Sequence, residues 1–289
     1  MTQIAFIGFG EAGGILAEEL AARHRIRIWD CKLAGEQRTA MQARARRAGV
    51  QIADSLAQAL SDAELIFSTV TADAALEVAR EAAPLLNHGQ CFLDLNSVAP
   101  NTKRSAALAF QHATYIDVAV MAPVPPSRLA TPMLAGGQGA DALCERLKGM
   151  GLNIRYAGEA VGKVSAIKMC RSVMIKGLEA LATECLRGAR KYGVEQEVLA
   201  SLHASFPSLG WHDTLPDYLI SRVAEHGRRR AAEMQEVVKM LQDGGMTGEM
   251  SIASAAIQLG LVEAMAHAQL DYASLEPFCW QRLADSLET

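Results

Sequence analysis

The stretch Ile4-Ala5-Phe6-Ile7-Gly8-Phe9-Gly10-Glu11-Ala12-Gly13 decides how this chain reads. Four apolar residues run straight into a G-x-G-x-x-G series, and a helical pattern follows over 12–22. The first glycine permits a tight turn, the second a close approach of the backbone to a diphosphate, and the third close packing of helix on strand. Unpaired N–H groups and the dipole at the N-terminus of that helix favour negative charge. Gly8, Phe9, Gly10, Glu11, Ala12 and Gly13 are therefore candidate dinucleotide-binding residues. A second apolar run over 26–29 ends at Asp30, whose carboxylate would accept hydrogen bonds from adenosine ribose hydroxyls and repel a 2′-phosphate. That favours NAD. Lys32 and Arg38 follow in the next loop and could meet a phosphate, so NADP stays open.

Outward from this motif the chain alternates short apolar runs with helical stretches. Strands are predicted over 4–7, 26–29, 65–70, 91–95, 115–120, 133–135 and 153–156, with helices over 12–22, 37–48, 74–86, 102–112 and 140–150. Such βαβ alternation implies an α/β fold with a doubly wound parallel sheet. After Gly158 strand-like runs stop and helical periodicity persists to the C-terminus, broken near 207–211, 244–248 and 271–274. The expected organisation is a nucleotide-binding domain over 1–158 and an all-α domain over 159–289. Residues 161–191 contain no Pro and could form one long helix despite Gly177 and Gly188.

Half of the 289 residues are hydrophobic, which allows a sizeable core. A balance of 28 basic against 32 acidic residues leaves a net charge of −4, a poor match for a nucleic-acid backbone. The six cysteines show no C-x-x-C pair and fit reduced thiols. No signal-peptide pattern and no apolar span of about 20 residues occurs, so the expectation is a soluble cytoplasmic protein without membrane contact. The seven histidines are dispersed, with no H-E-x-x-H spacing, and no G-x-S-x-G nucleophile signature is present. Metal chemistry and hydrolysis are not expected.

Ligands of an open α/β sheet collect at the carboxyl ends of its strands. Here those segments are Val70-Thr71-Ala72-Asp73, Asn96-Ser97-Val98-Ala99-Pro100 and Met121-Ala122-Pro123. Val70, Thr71 and Asn96 are candidate cofactor contacts. The side chains of Asn96 and Ser97 either face the nicotinamide or cap the helix that Pro100 opens. Farther on, Ser165, Lys168, Ser172, Lys176 and Glu179 recur near one face of an otherwise apolar helix. An ammonium there could exchange a proton with a substrate hydroxyl, or the lysines could snorkel to solvent. Arg222, His226, Arg228, Arg229 and Arg230 form a basic cluster followed by Glu233 and Glu236. It reads either as a solvated face or as a site for a carboxylate or phosphate.

Together these features resemble the β-hydroxyacid dehydrogenase superfamily, which includes 3-hydroxyisobutyrate dehydrogenase and 6-phosphogluconate dehydrogenase. The resemblance rests on the Gly8–Gly13 fingerprint, on Asp94-Leu95-Asn96-Ser97-Val98-Ala99-Pro100 as a counterpart of the family's D-x-S-T-x-x-P loop, and on Gly162 with Lys168 as a counterpart of its G-x-G-x-x-x-K segment. It implies a Rossmann domain followed by a helical domain, hydride transfer between a nicotinamide cofactor and a small anionic hydroxyacid, Lys168 as catalytic acid/base, and a homodimer or higher homo-oligomer. Two departures bear on the substrate. The family's D-A-P-V-S-G-G stretch stands here as Asp117-Val118-Ala119-Val120-Met121-Ala122-Pro123, and its asparagine four residues after the lysine is Ser172. Met121, Ala122, Pro123, Ser172, Lys176 and Arg229 are the substrate-binding candidates. These features are similar to a branch that ends in a C-terminal domain of unknown function. An imine reductase-like enzyme and a dinucleotide-binding regulatory protein without turnover are the alternative readings. Lys168 argues against the first, because the catalytic lysine position of imine reductases is commonly another residue.

Overall fold

A computed structural model describes residues 1–287. The chain begins with β1 (Gln3–Ile7), α1 (Glu11–Ala21), β2 (Arg25–Trp29), α2 (Arg38–Arg47), β3 (Gln51–Ile52), α3 (Leu56–Leu60), β4 (Leu65–Ser68), α4 (Ala75–Ala82), β5 (Cys91–Asp94) and α5 (Pro100–Ala107). It continues through β6 (Thr114–Val120), α6 (Val124–Ser127), β7 (Met133–Gly136), α7 (Ala140–Gly149), β8 (Ile154–Tyr156) and α8 (Lys163–Tyr192). The last helices are α9 (Glu195–Ser205), α10 (Leu215–Asp243), α11 (Glu249–His267) and α12 (Trp280–Ser286). None of the described helices is long and apolar enough to cross a membrane.

The strands form one sheet in the order β3-β2-β1-β4-β5-β6-β7-β8. Its first six positions follow the doubly wound pattern, with the switch point between β1 and β4. Central strands are buried on both faces, so they read as continuous apolar runs whose alternate residues feed two cores. Ile4, Phe6, Phe67 and Leu93 join α1, α2 and α7 on one face. Ala5, Ile7, Ile66 and Phe92 join α3, α4 and α5 on the other.

Four elements differ from the sequence expectation. The sheet is not wholly parallel, because β7 runs antiparallel to β6. A parallel return needs a long crossover, and here the link holds only the single turn of α6 and a 3₁₀ turn. Pro123, Pro125 and Pro126 supply no N–H donors with which to extend it. Strand β3 and helix α3 carry two and five residues, too few to register as a period. Helix α5 starts at Pro100 and ends at Ala107, earlier than the pattern over 102–112 suggested.

Two compact units make up the chain, Met1–Met169 and a second that begins at Cys170. The division falls inside α8, which continues through Gly177 and Gly188 without a break. Strand formation ends at Tyr156, but the first turns of α8 belong with the sheet because they are bonded to it. In the second unit α10 and α11 approach closely at Gly227, where a Cβ would lie 2.3 Å from the Gln258 carbonyl oxygen. Leu186, Val223, Leu261, Met265 and Trp280 fill its core.

A buried charge cluster fixes the carboxyl edge of the sheet in the first unit. Lys103, in the first turn of α5, is 0% exposed. Its Nζ donates to the Asp94 carbonyl at 2.6 Å, and lies 2.9 Å from Asp94 Oδ1 and 3.4 Å from Asp117 Oδ1. The Tyr115 hydroxyl donates to Asp94 Oδ2 at 2.6 Å. Burial, with the Asp94 charge beside it, pushes the Tyr115 phenol well above its ordinary range and keeps it a donor. Asp117 accepts from Ser165 Oγ at 2.7 Å and from the Gly162 N–H at 3.0 Å, so it caps the start of α8. Removing one member of such a cluster strands buried charge. Lys103→Met is expected to cost about 3–5 kcal/mol of stability, read as a lower urea midpoint at unchanged slope. A midpoint within error of wild type would show that Lys103 does not hold this edge together.

Candidate functional site

The glycine loop sits at the carboxyl end of β1, and its surroundings explain each glycine. Gly8 has φ +89°, and a Cβ there would lie 2.5 Å from the Thr69 carbonyl oxygen. At Gly13 a Cβ would meet Thr69 Oγ1 at 2.2 Å. Gly10 differs: a Cβ there would touch nothing within 4 Å, so its bare backbone faces open space. That is the cradle a diphosphate requires, and the loop fits a dinucleotide.

Asp30 turns its carboxylate onto the loop. Oδ2 accepts from the Phe9 N–H at 2.7 Å and Oδ1 from the Lys32 N–H at 2.9 Å, which fixes its charge at the end of β2. Arg44, on α2, closes the loop from the other side. Its Nη1 donates to the Phe9 carbonyl at 2.9 Å and its Nη2 to the Gly10 carbonyl at 2.8 Å, with the guanidinium 4.9 Å from the Phe9 ring centroid. Gly14 leaves room for that guanidinium, since a Cβ at Gly14 would lie 2.0 Å from Nη2.

From this loop a chain of bonds crosses β4 and β5 to α8. The Thr69 hydroxyl donates to the Gly8 carbonyl at 2.8 Å, and the Val70 N–H donates to Asn96 Oδ1 at 2.7 Å. Asn96 Nδ2 donates to Ser68 Oγ at 3.0 Å and to Asp94 Oδ1 at 2.7 Å. Asn96 is thus a buried latch between strands, and neither it nor Ser97 caps α5, whose N-terminus has no side-chain cap. Ser97 instead meets Lys168. The Lys168 Nζ donates to Ser97 Oγ at 2.5 Å. Ser165, bonded to Asp117, lies one helical turn before Lys168 and sets its register. Near this end of the sheet Met121 is partly buried with Val164 and Ala119, its N–H bonded to the Pro132 carbonyl at 2.8 Å. Ala122 is half-buried and Pro123 exposed.

The polar stripe on α8 is divided between the two units. Ser165 and Lys168 belong to the first, whereas Ser172, Lys176 and Glu179 enter a helical network in the second. Lys176 Nζ donates to Ser172 Oγ at 3.2 Å and pairs with Glu233 at 2.7 Å. Glu179 receives Arg230 at 2.7 Å and Gln258 at 3.2 Å. Burial raises the Glu179 carboxyl above its usual range against the opposing pull of Arg230. Within the basic cluster, Arg229 is exposed and pairs with Glu233 at 2.8 Å, and Arg222 pairs with Glu225 at 2.9 Å. Burial, helped by Arg222, lowers His226 below its ordinary value.

Arg44, Thr69 and Lys103 escaped the sequence reading. Arg44 is one of four arginines in α2 and carries no local mark. Lys103 carries one: a cation in the first turn of a helix opposes the dipole and calls for a partner.

Known proteins share the sequence and fold of this chain. Residues 3–158 match the NAD binding domain of 6-phosphogluconate dehydrogenase, and residues 189–261 match a domain of unknown function, DUF1932. A solved conserved hypothetical protein from Sinorhizobium meliloti 1021 is 38% identical, with a TM-score of 0.78 over 99% of this chain and 97% of its own. The 3-hydroxyisobutyrate dehydrogenase of Pseudomonas aeruginosa is 30% identical over 228 residues, 73% of this chain and 72% of its own. That of Mycobacterium tuberculosis, solved with L-serine, shares the fold at a TM-score of 0.75 and 17% identity over all of both chains. The chain belongs to the β-hydroxyacid dehydrogenase superfamily, in the branch that carries this C-terminal domain of unknown function.

Proposed function

We propose that the protein is a nicotinamide-dependent dehydrogenase that interconverts a hydroxyl and a carbonyl on a small anionic hydroxyacid, with Lys168 as acid/base. The observation that carries this reading is the Lys168–Ser97 contact, joined through Asn96, Val70 and Thr69 to the glycine loop. A bound nicotinamide supplies or accepts the hydride. Lys168 Nζ takes the substrate hydroxyl proton in oxidation and returns it to the carbonyl oxygen in reduction. Ser97 Oγ accepts one Lys168 hydrogen and so aims the nitrogen, while its own hydroxyl can donate to the substrate oxygen. Met121 and Ala122 shape the apolar side of the pocket. A substrate bearing a carboxylate β to the new carbonyl could go on to lose carbon dioxide.

Two further assignments follow from the loop. Asp30 favours NAD, because two backbone donors immobilise its charge where a 2′-phosphate would have to lie. Arg44 is a positioning residue. In a trans peptide the C=O of one residue and the N–H of the next point to opposite sides. By holding the Phe9 and Gly10 carbonyls, Arg44 turns the Gly10 and Glu11 N–H groups the other way, towards the diphosphate.

The test is absorbance of the reduced nicotinamide while the purified protein meets hydroxyacids, sugar acids and their phosphates, each with NAD and NADP. Turnover with an acid substrate is expected, and Lys168→Ala should lower kcat by about 10²–10⁴-fold with little change in NAD affinity. NAD binding without turnover on any acid would favour a nucleotide sensor over an enzyme. Arg44→Met should raise the Kd for NAD by about tenfold and leave the Kd for adenosine, which lacks the diphosphate, near wild type. Equal losses for both ligands would make Arg44 a merely structural residue.

A further inference from the structure

Among the described residues other than glycine, Arg128 and Gln269 have a positive φ. Gln269 follows the last turn of α11, and the Leu270 N–H returns to the Met265 carbonyl, an ordinary way for a helix to end. Arg128 has no such excuse. With φ +50° and ψ −123° it stands where the first central residue of a type II′ turn lies, a region that glycine enters freely and a β-carbon resists. Its side chain reaches across to α1, where Nε donates to Glu19 Oε1 and Nη2 to Glu18 Oε2, the latter at 2.7 Å. That side chain is 42% exposed, and ion pairs so open to water add little to stability. A glycine would relieve the backbone at small loss, so the worth of the arginine lies in what it holds in place.

On one side of this clasp is α1, whose N-terminus carries the glycine loop and whose position therefore follows the diphosphate. On the other is the link between β6 and β7, which opens with Met121 and Ala122. The link is closed on itself: the Met121 N–H donates to the Pro132 carbonyl at 2.8 Å, and the buried Thr131 hydroxyl donates to the Arg128 carbonyl at 2.8 Å. Val124 is buried in the same core as Leu16, Ala17 and Leu20 of α1, with Leu129 packed against it. We infer that Arg128 is a positioning residue that pins the wall formed by Met121 and Ala122 to the helix bearing the cofactor loop, so that dinucleotide and wall keep one spacing. The inference rests on the reading of Met121 and Ala122 as the apolar side of the substrate pocket. A guanidinium suits the task, because its planar fork engages two carboxylates at once and fixes direction as well as distance. Its charge also complements the carboxyl end of α1.

The test is amide hydrogen exchange on the full-length protein, with and without NAD, read over residues 119–124 and over the glycine loop. In wild type, NAD should slow exchange in both segments. Arg128→Gly should abolish the slowing over 119–124, keep it at the glycine loop, and leave the urea midpoint unchanged or higher, because the backbone strain departs with the side chain. Glu18→Gln combined with Glu19→Gln should abolish the same response without raising the midpoint, since the strain stays. On an acid that is turned over, Arg128→Gly should raise KM by about tenfold with kcat near wild type, because a displaced wall removes binding common to ground and transition states. The exchange pattern just described, found without turnover on any acid, would sink the dehydrogenase reading and uphold the clasp. A wild-type segment 119–124 indifferent to NAD would overturn the inference. So would a response that survives Arg128→Gly, or a midpoint that this variant lowers, which would make Arg128 a stabilising tie and nothing more.

Discussion

Asp94, Lys103 and Asp117 form the constraint on which the first unit's working edge depends. Two carboxylates and one ammonium without water are tolerable only when every remaining lone pair finds a donor. Here the donors are the Tyr115 hydroxyl, the Asn96 backbone and side chain, the Ser165 hydroxyl and the Gly162 N–H. Each donor comes from a different piece of the edge: β6, the loop after β5, the first turn of α8 and the turn before it. A shift in any of them leaves a buried charge short of a partner, so the pieces hold one arrangement. Ser97 and Lys168 inherit that rigidity, since each lies within one turn or one residue of a group bonded into the cluster. Electrostatic stabilisation of a reacting proton relies on this kind of prior organisation.

The glycine loop is held by a different device. Around it the carboxylate of Asp30 takes an N–H, the guanidinium of Arg44 takes two carbonyls, and the Thr69 hydroxyl takes a third. Side chains from β2, α2 and the end of β4 thereby satisfy groups that a loop of this kind would otherwise leave to solvent. Open space remains where Gly10 faces outward. The loop is consequently pre-shaped, and binding need not order it.

Much of this was legible in the sequence because it rests on periods and on glycine spacing. The alternation of strands and helices, the fingerprint at Gly8–Gly13, the length of α8 and the segments carrying Asn96, Ser97 and Lys168 all leave local marks. Side-chain partnerships at long range leave none. Nothing near Arg44 announces that it will meet Phe9, and nothing near Lys103 names Asp117. Lys176 is a further case: nothing near it announces that its ammonium will meet Glu233. The reversal of β7 was hidden for another reason, since an antiparallel edge strand has the same apolar pattern as a parallel one and only the shortness of its connection betrays it.

The fit between Gly14 and Arg44 ties together two positions thirty residues apart. A methyl group at position 14 would occupy the volume that the guanidinium fills, and a shorter residue at position 44 would take the guanidinium from the Phe9 carbonyl and leave the Gly10 carbonyl to the Gly14 N–H. An alanine at position 14 would push the flexible end of Arg44 aside and forfeit the clamp, as would losing the arginine itself. The residue at position 14 thus decides whether a guanidinium at position 44 can lie flat against the loop.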